Sequence, residues 1–184
     1  MNEAKPVRLS ANRLELIAAT LDHVYAELEA PESLAALLNT QVEPEWPPGE
    51  YDRDAQEFFR DRLKECGMSA VGWYCWYAVR RGSPDHPSVL IGAGGYFGPP
   101  GEGGIVEIGF SIMPAWQNLG YATELAELLI KNAFTDSRVR KVIAHATPMN
   151  LASCKVLKRC GFKYVSRDEE SGNNLYEIMR NMSA

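Results

Sequence analysis

The chain has 184 residues, of which 46% are hydrophobic and 23% charged, and its formal net charge at pH 7 is −5. This composition is typical of a globular protein that can bury a core, and we expect residues 1–184 to form a single domain. No apolar run approaches the roughly 18 residues that a membrane-spanning helix needs, and the N-terminus lacks an apolar signal segment, so we expect no membrane partner and no secretion. The acidic balance disfavours general nucleic-acid binding.

The cysteines indicate a reducing compartment. There are four, and their spacing matches no zinc motif: Cys66, Cys75, Cys154 and Cys160. We therefore expect packed, reduced thiols, a cytoplasmic location and no metal.

Charge is divided unevenly along the chain. Residues 1–119 carry 9 Lys and Arg against 17 Asp and Glu, whereas residues 120–184 carry 10 against 7. The second part would suit an anionic ligand and the first an amine. An uneven solvated surface explains the same charges equally well.

The first third of the chain predicts one strand followed by helices. Residues 13–19 (RLELIAA) predict the strand. Helices are predicted near residues 21–29, 31–39 and 53–65. The last of these should place Phe58, Phe59 and Leu63 on its inner face. Trp46 lies in a Pro-rich loop over residues 42–52, where it either lines a binding pocket or packs as part of a lid.

The middle of the chain is rich in β-branched and aromatic residues. GWYCWYAVRR, SVLIGAGGYF and GIVEIGFSI predict three antiparallel strands separated by Pro and Gly turns. A helix after Gly120 and a strand at RKVIAHAT follow. A second helix has Asn150 as its N-cap and Gly161 beyond its end, and a hairpin closes the chain. This order predicts a mixed α/β domain with a mostly antiparallel central sheet flanked by helices.

The segment between the third of these strands and the helix, MPAWQNLGYAT, gathers small residues at a helix entrance. Unpaired amides and the helix dipole favour an anion there, and a pyrophosphate would suit the turn best. Neither the Walker pattern nor GxGxxG is present. A tight turn crossing closely against the sheet explains the small residues equally well.

Two side chains stand out beside this turn. Glu107 alternates with apolar residues along its strand, so it could face solvent, pair with an arginine or accept a proton. Ser153 lies on the apolar face of its helix, where its hydroxyl needs a partner. A local bond to Asn150 or to a backbone carbonyl would also satisfy it.

Together, Glu107, the strand end SIMP, QNLGYAT and NLASCKVLKRCGF resemble the GNAT superfamily of acyl-CoA-dependent N-acyltransferases. The resemblance is strongest to the branch that includes ribosomal-protein N-terminal acetyltransferases, and it covers nearly the whole chain. It rests on Q-x-x-G-x-A paired with N-x-x-S-x-x-x-L-x-x-x-G-F. It implies a sheet splayed at the cofactor site and an N-acetyltransferase that uses acetyl-CoA. The implied acceptor is a primary amine, on a protein N-terminus or a small molecule, and a homodimer is compatible with this family.

The resemblance also implies roles for individual residues. Those implied to hold the CoA pyrophosphate are Gln117, Asn118, Leu119, Gly120, Tyr121, Ala122 and Thr123. The backbone of Phe110 and Ile112 would pair with the pantetheine arm, and Asn150 would hold its acyl end. Ser153 would protonate the departing thiolate, and Glu107 would be the general base. The sequence departs from the family at Asn118 and Leu119, where glycine or a basic residue is frequent.

Several alternatives stay open on the sequence. A water chain could replace Glu107 as the base, and a non-catalytic acyl-CoA-binding domain would share the same fold. His145 is a weaker candidate, better explained as a satisfied strand histidine. Cys154 is better explained by packing than as a nucleophile. Lys155, Lys158 and Arg159 either meet phosphates or form a solvated face.

Overall fold

The computed structural model describes residues 7–181, in which nine strands and five α-helices form one sheet with helices on both faces. The strands are β1 Arg8–Ser10, β2 Leu14–Ala18, β3 Gln41–Val42, β4 Cys75–Arg80, β5 Val89–Tyr96, β6 Ile105–Ile112, β7 Lys141–Ala146, β8 Lys163–Arg167 and β9 Asn174–Met179. The helices are α1 Leu21–Glu29, α2 Pro31–Leu38, α3 Arg53–Cys66, α4 Tyr121–Ala133 and α5 Leu151–Arg159.

The strand order is β1-β2-β4-β5-β6-β7-β9-β8, with β3 pairing to the start of β5. All neighbours are antiparallel except β6 with β7 and β3 with β5. The predicted fold class, a mixed and mostly antiparallel sheet flanked by helices, is confirmed. None of the described helices is both long and apolar enough to cross a bilayer.

Apolar residues cover both faces of the sheet. Trp76 and Tyr77 on β4 are 1% and 0% exposed, and they belong to separate clusters. The Trp76 cluster includes residues of α4 and α5, and the Tyr77 cluster includes residues of α1, α2 and α3. Because successive side chains of a strand point to opposite faces, β4 is buried on both sides.

The inner face of α3 differs from the prediction at one position. Phe59 and Leu63 are buried together with Gln56, but Phe58 is 40% exposed. Adjacent helical residues point about 100° apart, so a face built on positions 56, 59 and 63 turns Phe58 to the side. Its ring lies instead at the edge of a cavity described below.

Candidate active site

Strands β6 and β7 separate partway along their length. They pair from Ile105 with Lys141 to Glu107 with Ile143, and no further. On its other side β6 stays paired with β5 as far as Ile112. Residues 108–112 therefore have a hydrogen-bonded neighbour on one side and a gap on the other.

The backbone of β6 presents polar groups to this gap. The Met113 amide donates to the Ile91 carbonyl at 2.8 Å, so odd-numbered positions here face β5. Residues of a strand alternate in the side to which their amide and carbonyl point, and Phe110 and Ile112 therefore face the gap. The Gln117 side chain already donates to the Ile112 carbonyl at 2.9 Å. An extended ligand can be held by the groups that remain.

The turn between β6 and α4 exposes backbone amides. Asn118 and Gly120 both have positive φ, 61° and 86°. Gly120 is the N-cap of α4, and no side chain caps the helix there. The first amides of α4 are thus left for an anion. Asn118 takes the left-handed conformation that asparagine tolerates.

Arg13, immediately before β2, stabilises this turn through its side chain. Its guanidinium donates to the Leu119 carbonyl and to the Glu124 carboxylate, each at 2.9 Å. It also lies 4.4 Å from the centroid of the Tyr121 ring. A Cβ added at Gly120 would lie 3.2 Å from the Arg13 Nη2. The Leu119 carbonyl is therefore held toward Arg13.

A groove of about 510 Å³, which we call the turn groove, runs from this turn along β6 to α5. Nine of the ten residues implied for CoA line it, from Phe110 and Ile112 on β6 to Asn150, and Leu119 does not. Lys155 and Arg159 line it as well. It therefore combines the open backbone of β6, the uncapped turn and two cationic side chains.

A second cavity of about 470 Å³, which we call the aromatic cavity, lies beside it. Glu107 and His145 line this cavity, and Glu107 Oε1 is 2.7 Å from His145 Nδ1. Both side chains are about a third exposed, at 31% and 32%. The pair is thus close enough to share a proton and open enough to exchange it with solvent.

The two spaces meet at four residues that line both: Glu50, Phe110, Ser111 and Ser153. Asn150 is the N-cap of α5, as predicted, and its Oδ1 accepts a hydrogen bond from the Ser153 amide at 3.0 Å. Its side-chain nitrogen donates to Glu50 Oε1 at 3.0 Å. Because the bond to Asn150 uses the Ser153 amide, it leaves the hydroxyl at the junction of groove and cavity.

Comparison with known proteins identifies the family to which this chain belongs. A family model described as the acetyltransferase (GNAT) domain matches residues 13–163. The chain belongs to the GNAT acetyltransferase family. It is 28% identical over 156 residues to YjdG of Bacillus subtilis (strain 168), an uncharacterized N-acetyltransferase, with 85% of this chain and 89% of that protein covered.

Solved structures share the GNAT fold. The ribosomal L7/L12 alpha-N-protein acetyltransferase RimL superposes with a TM-score of 0.65 at 16% identity, covering 97% of each chain. The aminoglycoside acetyltransferase AAC(6')-Ib, solved with coenzyme A, gives a TM-score of 0.60 at 19% identity, covering 91% of this chain and 95% of that one. At such identities the likeness establishes the fold.

The site brings together most of the residues singled out in the sequence, and it places His145, a weaker candidate on the sequence, in contact with Glu107. Glu107 pairs with this histidine instead of an arginine. Lys158, unlike Lys155 and Arg159, does not line the turn groove. Cys154 is buried, and its sulfur lies 3.8 Å from the Thr147 carbonyl. Within residues 7–181 no group of three or more His, Cys, Asp or Glu could hold a metal ion.

Trp46 packs against the rings of Tyr51 and Tyr77 and does not line the aromatic cavity. Its indole nitrogen donates to Glu27 Oε1 at 2.6 Å, and Tyr51 and Tyr77 donate to Glu27 Oε2 at 2.8 Å each. Glu27 is 5% exposed, and burial raises the pKa of this carboxyl although four side-chain hydrogen bonds to it oppose the shift. The network ties the loop to α1 and so positions Glu50 and Tyr51 at the site.

Proposed function

We propose that this GNAT acetyltransferase transfers the acetyl group of acetyl-CoA to a primary amine by direct attack in a ternary complex. Acetyl-CoA would occupy the turn groove and the amine the aromatic cavity. The observation that carries the proposal is that the two spaces meet at Ser153, with Glu107 and His145 on the cavity side. Two substrates held end to end at such a junction can react without a covalent enzyme intermediate.

The turn groove fits the shape and charge of CoA. The uncapped amides at Gly120 would hold the pyrophosphate, and Lys155 and Arg159 would add positive charge. The gap-facing backbone of Phe110 and Ile112 would bind the pantetheine amides as an added strand would. Acetyl-CoA itself supplies an acyl group already activated as a thioester.

Proton transfer falls to residues at the junction. An amine of lysine type has a pKa of about 10.4 and an α-amine about 8, so the acceptor arrives protonated near neutral pH. Glu107 would take that proton directly or through a water molecule, while His145 orients the carboxylate and passes the proton to solvent. As the new carbon–nitrogen bond forms and the carbon–sulfur bond breaks, Ser153 would donate a hydrogen bond to the departing thiolate and relay to it a proton taken up from solvent. A carboxylate–imidazole pair in the cavity favours turnover over acyl-CoA sensing alone.

The acceptor, assembly and compartment belong to the proposal as well. An amine on a protein N-terminus or on a small molecule would suit the cavity, and the fold relatives include a ribosomal-protein acetyltransferase and an aminoglycoside acetyltransferase. A homodimer stays a prediction. A cytoplasmic location is supported by the four cysteines, which are all free thiols.

The proposal is tested by measuring thiol release from acetyl-CoA against a panel of primary amines, with mass spectrometry of the products. We expect release that depends on the amine and a product heavier by one acetyl group. If calorimetry shows that acetyl-CoA binds while no amine is acetylated, the chain is a binding domain and the proposal fails.

A further inference from the structure

The aromatic cavity carries apolar surface that its own fold leaves open. Its rings come from α3, from β5 and β6, and from the loops that flank them: Tyr51, Phe58, Phe59, Tyr96, Phe97 and Phe110. Phe58 is 40% exposed and Phe97 is 55% exposed, and their ring centroids are 6.3 Å apart. Two large aromatic side chains that stay exposed to water do not gain the free energy of burial. A ligand that covers them can gain it on binding.

Both open rings are held in place by their neighbours. The Phe58 ring lies 5.4 Å from Phe59 and 6.2 Å from Tyr74, with edge-to-face geometry. A Cβ added at Gly109 would be 3.4 Å from the Phe97 ring, which shows that this ring lies over the backbone of β6. Gly109 follows Glu107 by two residues on the same strand. The apolar rim is therefore fixed in position, a short distance along β6 from the proposed base.

Acidic side chains outnumber fixed cations in the lining of the cavity. Glu50 and Glu107 contribute carboxylates and His145 an imidazole, and among the described residues that line the cavity none is Lys or Arg. The Arg62 guanidinium lies 5.9 Å from the Phe58 ring but is paired with Glu65 at 2.8 Å. The cavity thus favours a cation and disfavours phosphorylated or carboxylated acceptors.

The volume of the aromatic cavity limits the size of the group that can be attached to the amine. About 470 Å³ lies within the roughly 300–1,000 Å³ of small-molecule sites and has room for one or two rings. A polyamine or an aminoglycoside would place further ammonium or hydroxyl groups against Phe58 and Phe97. Those groups would lose water without gaining a hydrogen-bond partner on that wall.

We propose, building on the acetyl transfer described above, that the acceptor is a singly charged primary amine joined by a short linker to an aromatic or bulky apolar group. That group inserts between Phe58 and Phe97, and the amine reaches the Glu107 side of Ser153. The same chemistry is offered by a free arylalkylamine and by the first residue of a peptide with an aromatic N-terminal side chain.

Steady-state kinetics at saturating acetyl-CoA test the acceptor class. The probes are phenethylamine, a tripeptide beginning with phenylalanine, glycinamide and spermidine. We expect kcat/KM for the better aromatic probe to exceed that for glycinamide and spermidine by about 10-fold or more, as burial of one ring predicts. The ratio between phenethylamine and the tripeptide then distinguishes the free amine from the peptide as the source.

Two variants locate the effect in the cavity wall. Phe58→Ala and Phe97→Ala should each raise the KM for the aromatic probe about 10-fold, which is a larger change than in the KM for acetyl-CoA or in kcat/KM for glycinamide. Tyr164→Ala is the matched control, since Tyr164 is an aromatic residue 54% exposed on β8. Because both phenylalanines are partly exposed, melting temperatures near wild type are expected.

The outcomes separate this inference from the proposed function. Preference for spermidine or glycinamide, or an unchanged KM for the aromatic probe in both variants, overturns the acceptor class while acetyl transfer stands. Acetylation of none of these four probes overturns the acceptor class, and acetyl transfer falls as well only if acetyl-CoA binds and no amine of the wider panel is acetylated.

Discussion

Glu107 and His145 are 38 residues apart in the chain, and their contact depends on the parallel pairing of β6 with β7. Pairing places Glu107 beside Ile143, and His145 is two residues further on the same face of β7. The strands separate just beyond, so the pair stands at the mouth of the gap. At this position a base can meet both an amine from the cavity and solvent.

Glu107→Gln removes the proposed base while keeping its shape. We expect kcat to fall on the order of 10²-fold or more near neutral pH and to recover partly at high pH, where the amine is already neutral. A pH–rate profile of wild type and variant measures this. A loss that stays constant across pH would assign Glu107 to positioning instead.

Ser153→Ala separates the chemical role of the hydroxyl from a structural one. The N-cap bond uses the Ser153 amide, so the alanine variant keeps it, and we expect a loss of stability of no more than about 1 kcal/mol. If the hydroxyl protonates the thiolate, kcat and kcat/KM should fall together by roughly 10- to 1000-fold, with acetyl-CoA affinity unchanged. Turnover near wild type with a lowered melting temperature would show that another group or solvent serves the thiolate.

The turn before α4 is stabilised by the segment at the entrance to β2, which is distant in sequence. Arg13 of the β2 entrance bonds Leu119 and Glu124, 106 and 111 residues away. The Glu124 carboxylate in turn accepts hydrogen bonds from the backbone amides of Arg13 and Leu14. The proposed anion site of α4 is thereby preorganised by contacts with Arg13 and Leu14.

Arg13→Ala should weaken acetyl-CoA binding without changing the chemistry. We expect Kd for CoA to rise about 10-fold, because the turn must be ordered on binding, while kcat at saturation stays near wild type. Calorimetry with CoA measures it. Arg8→Ala is the matched control, since Arg8 lies on β1 and pairs with Glu15 at 2.6 Å, away from the turn. An unchanged Kd for CoA in folded Arg13→Ala would show that Arg13 does not preorganise the turn for CoA.

The loop that carries Glu50 and Tyr51 is tied to α1 through Glu27, and this tie depends on pH. Burial raises the folded-state pKa of Glu27 above its value of 4.5 in the unfolded chain. Its contribution to stability is therefore fully present below about pH 4.5 and is lost as pH rises through the folded pKa.

Glu27→Gln cannot ionise, so its stability relative to wild type should increase as pH rises from 4 toward neutrality. Denaturant unfolding of both proteins across that interval measures the difference. Glu29→Gln, exposed on the same helix, should show no such trend. A stability difference for Glu27→Gln that does not vary with pH would contradict the linkage.

The uneven charge of the chain matches the proposed placement of the two substrates. The acidic part, residues 1–119, contributes Glu50 and Glu107 to the aromatic cavity. The basic part, residues 120–184, contributes Lys155 and Arg159 to the turn groove. An amine and a phosphate-bearing cosubstrate would each meet potential of the opposite sign.

The sequence predicts features whose causes are local. The Asn150 N-cap, Gly161 at the end of α5 and the β4–β6 meander depend on residues a few positions apart, and all are confirmed. The three-residue β1 is too short to show alternation and was not predicted. The bonds of Arg13 to the turn and of Glu50 to Asn150 join residues about 100 positions apart, and only the packed sheet brings them together.

Initial-rate kinetics with both substrates varied test whether acetyl-CoA and the amine meet at the junction of groove and cavity. Attack within a ternary complex predicts intersecting double-reciprocal lines, and a protein that carries no acetyl group after incubation with acetyl-CoA alone. Parallel lines, together with an acetylated protein that passes its acetyl group to the amine, would contradict the account, because they would require a covalent intermediate.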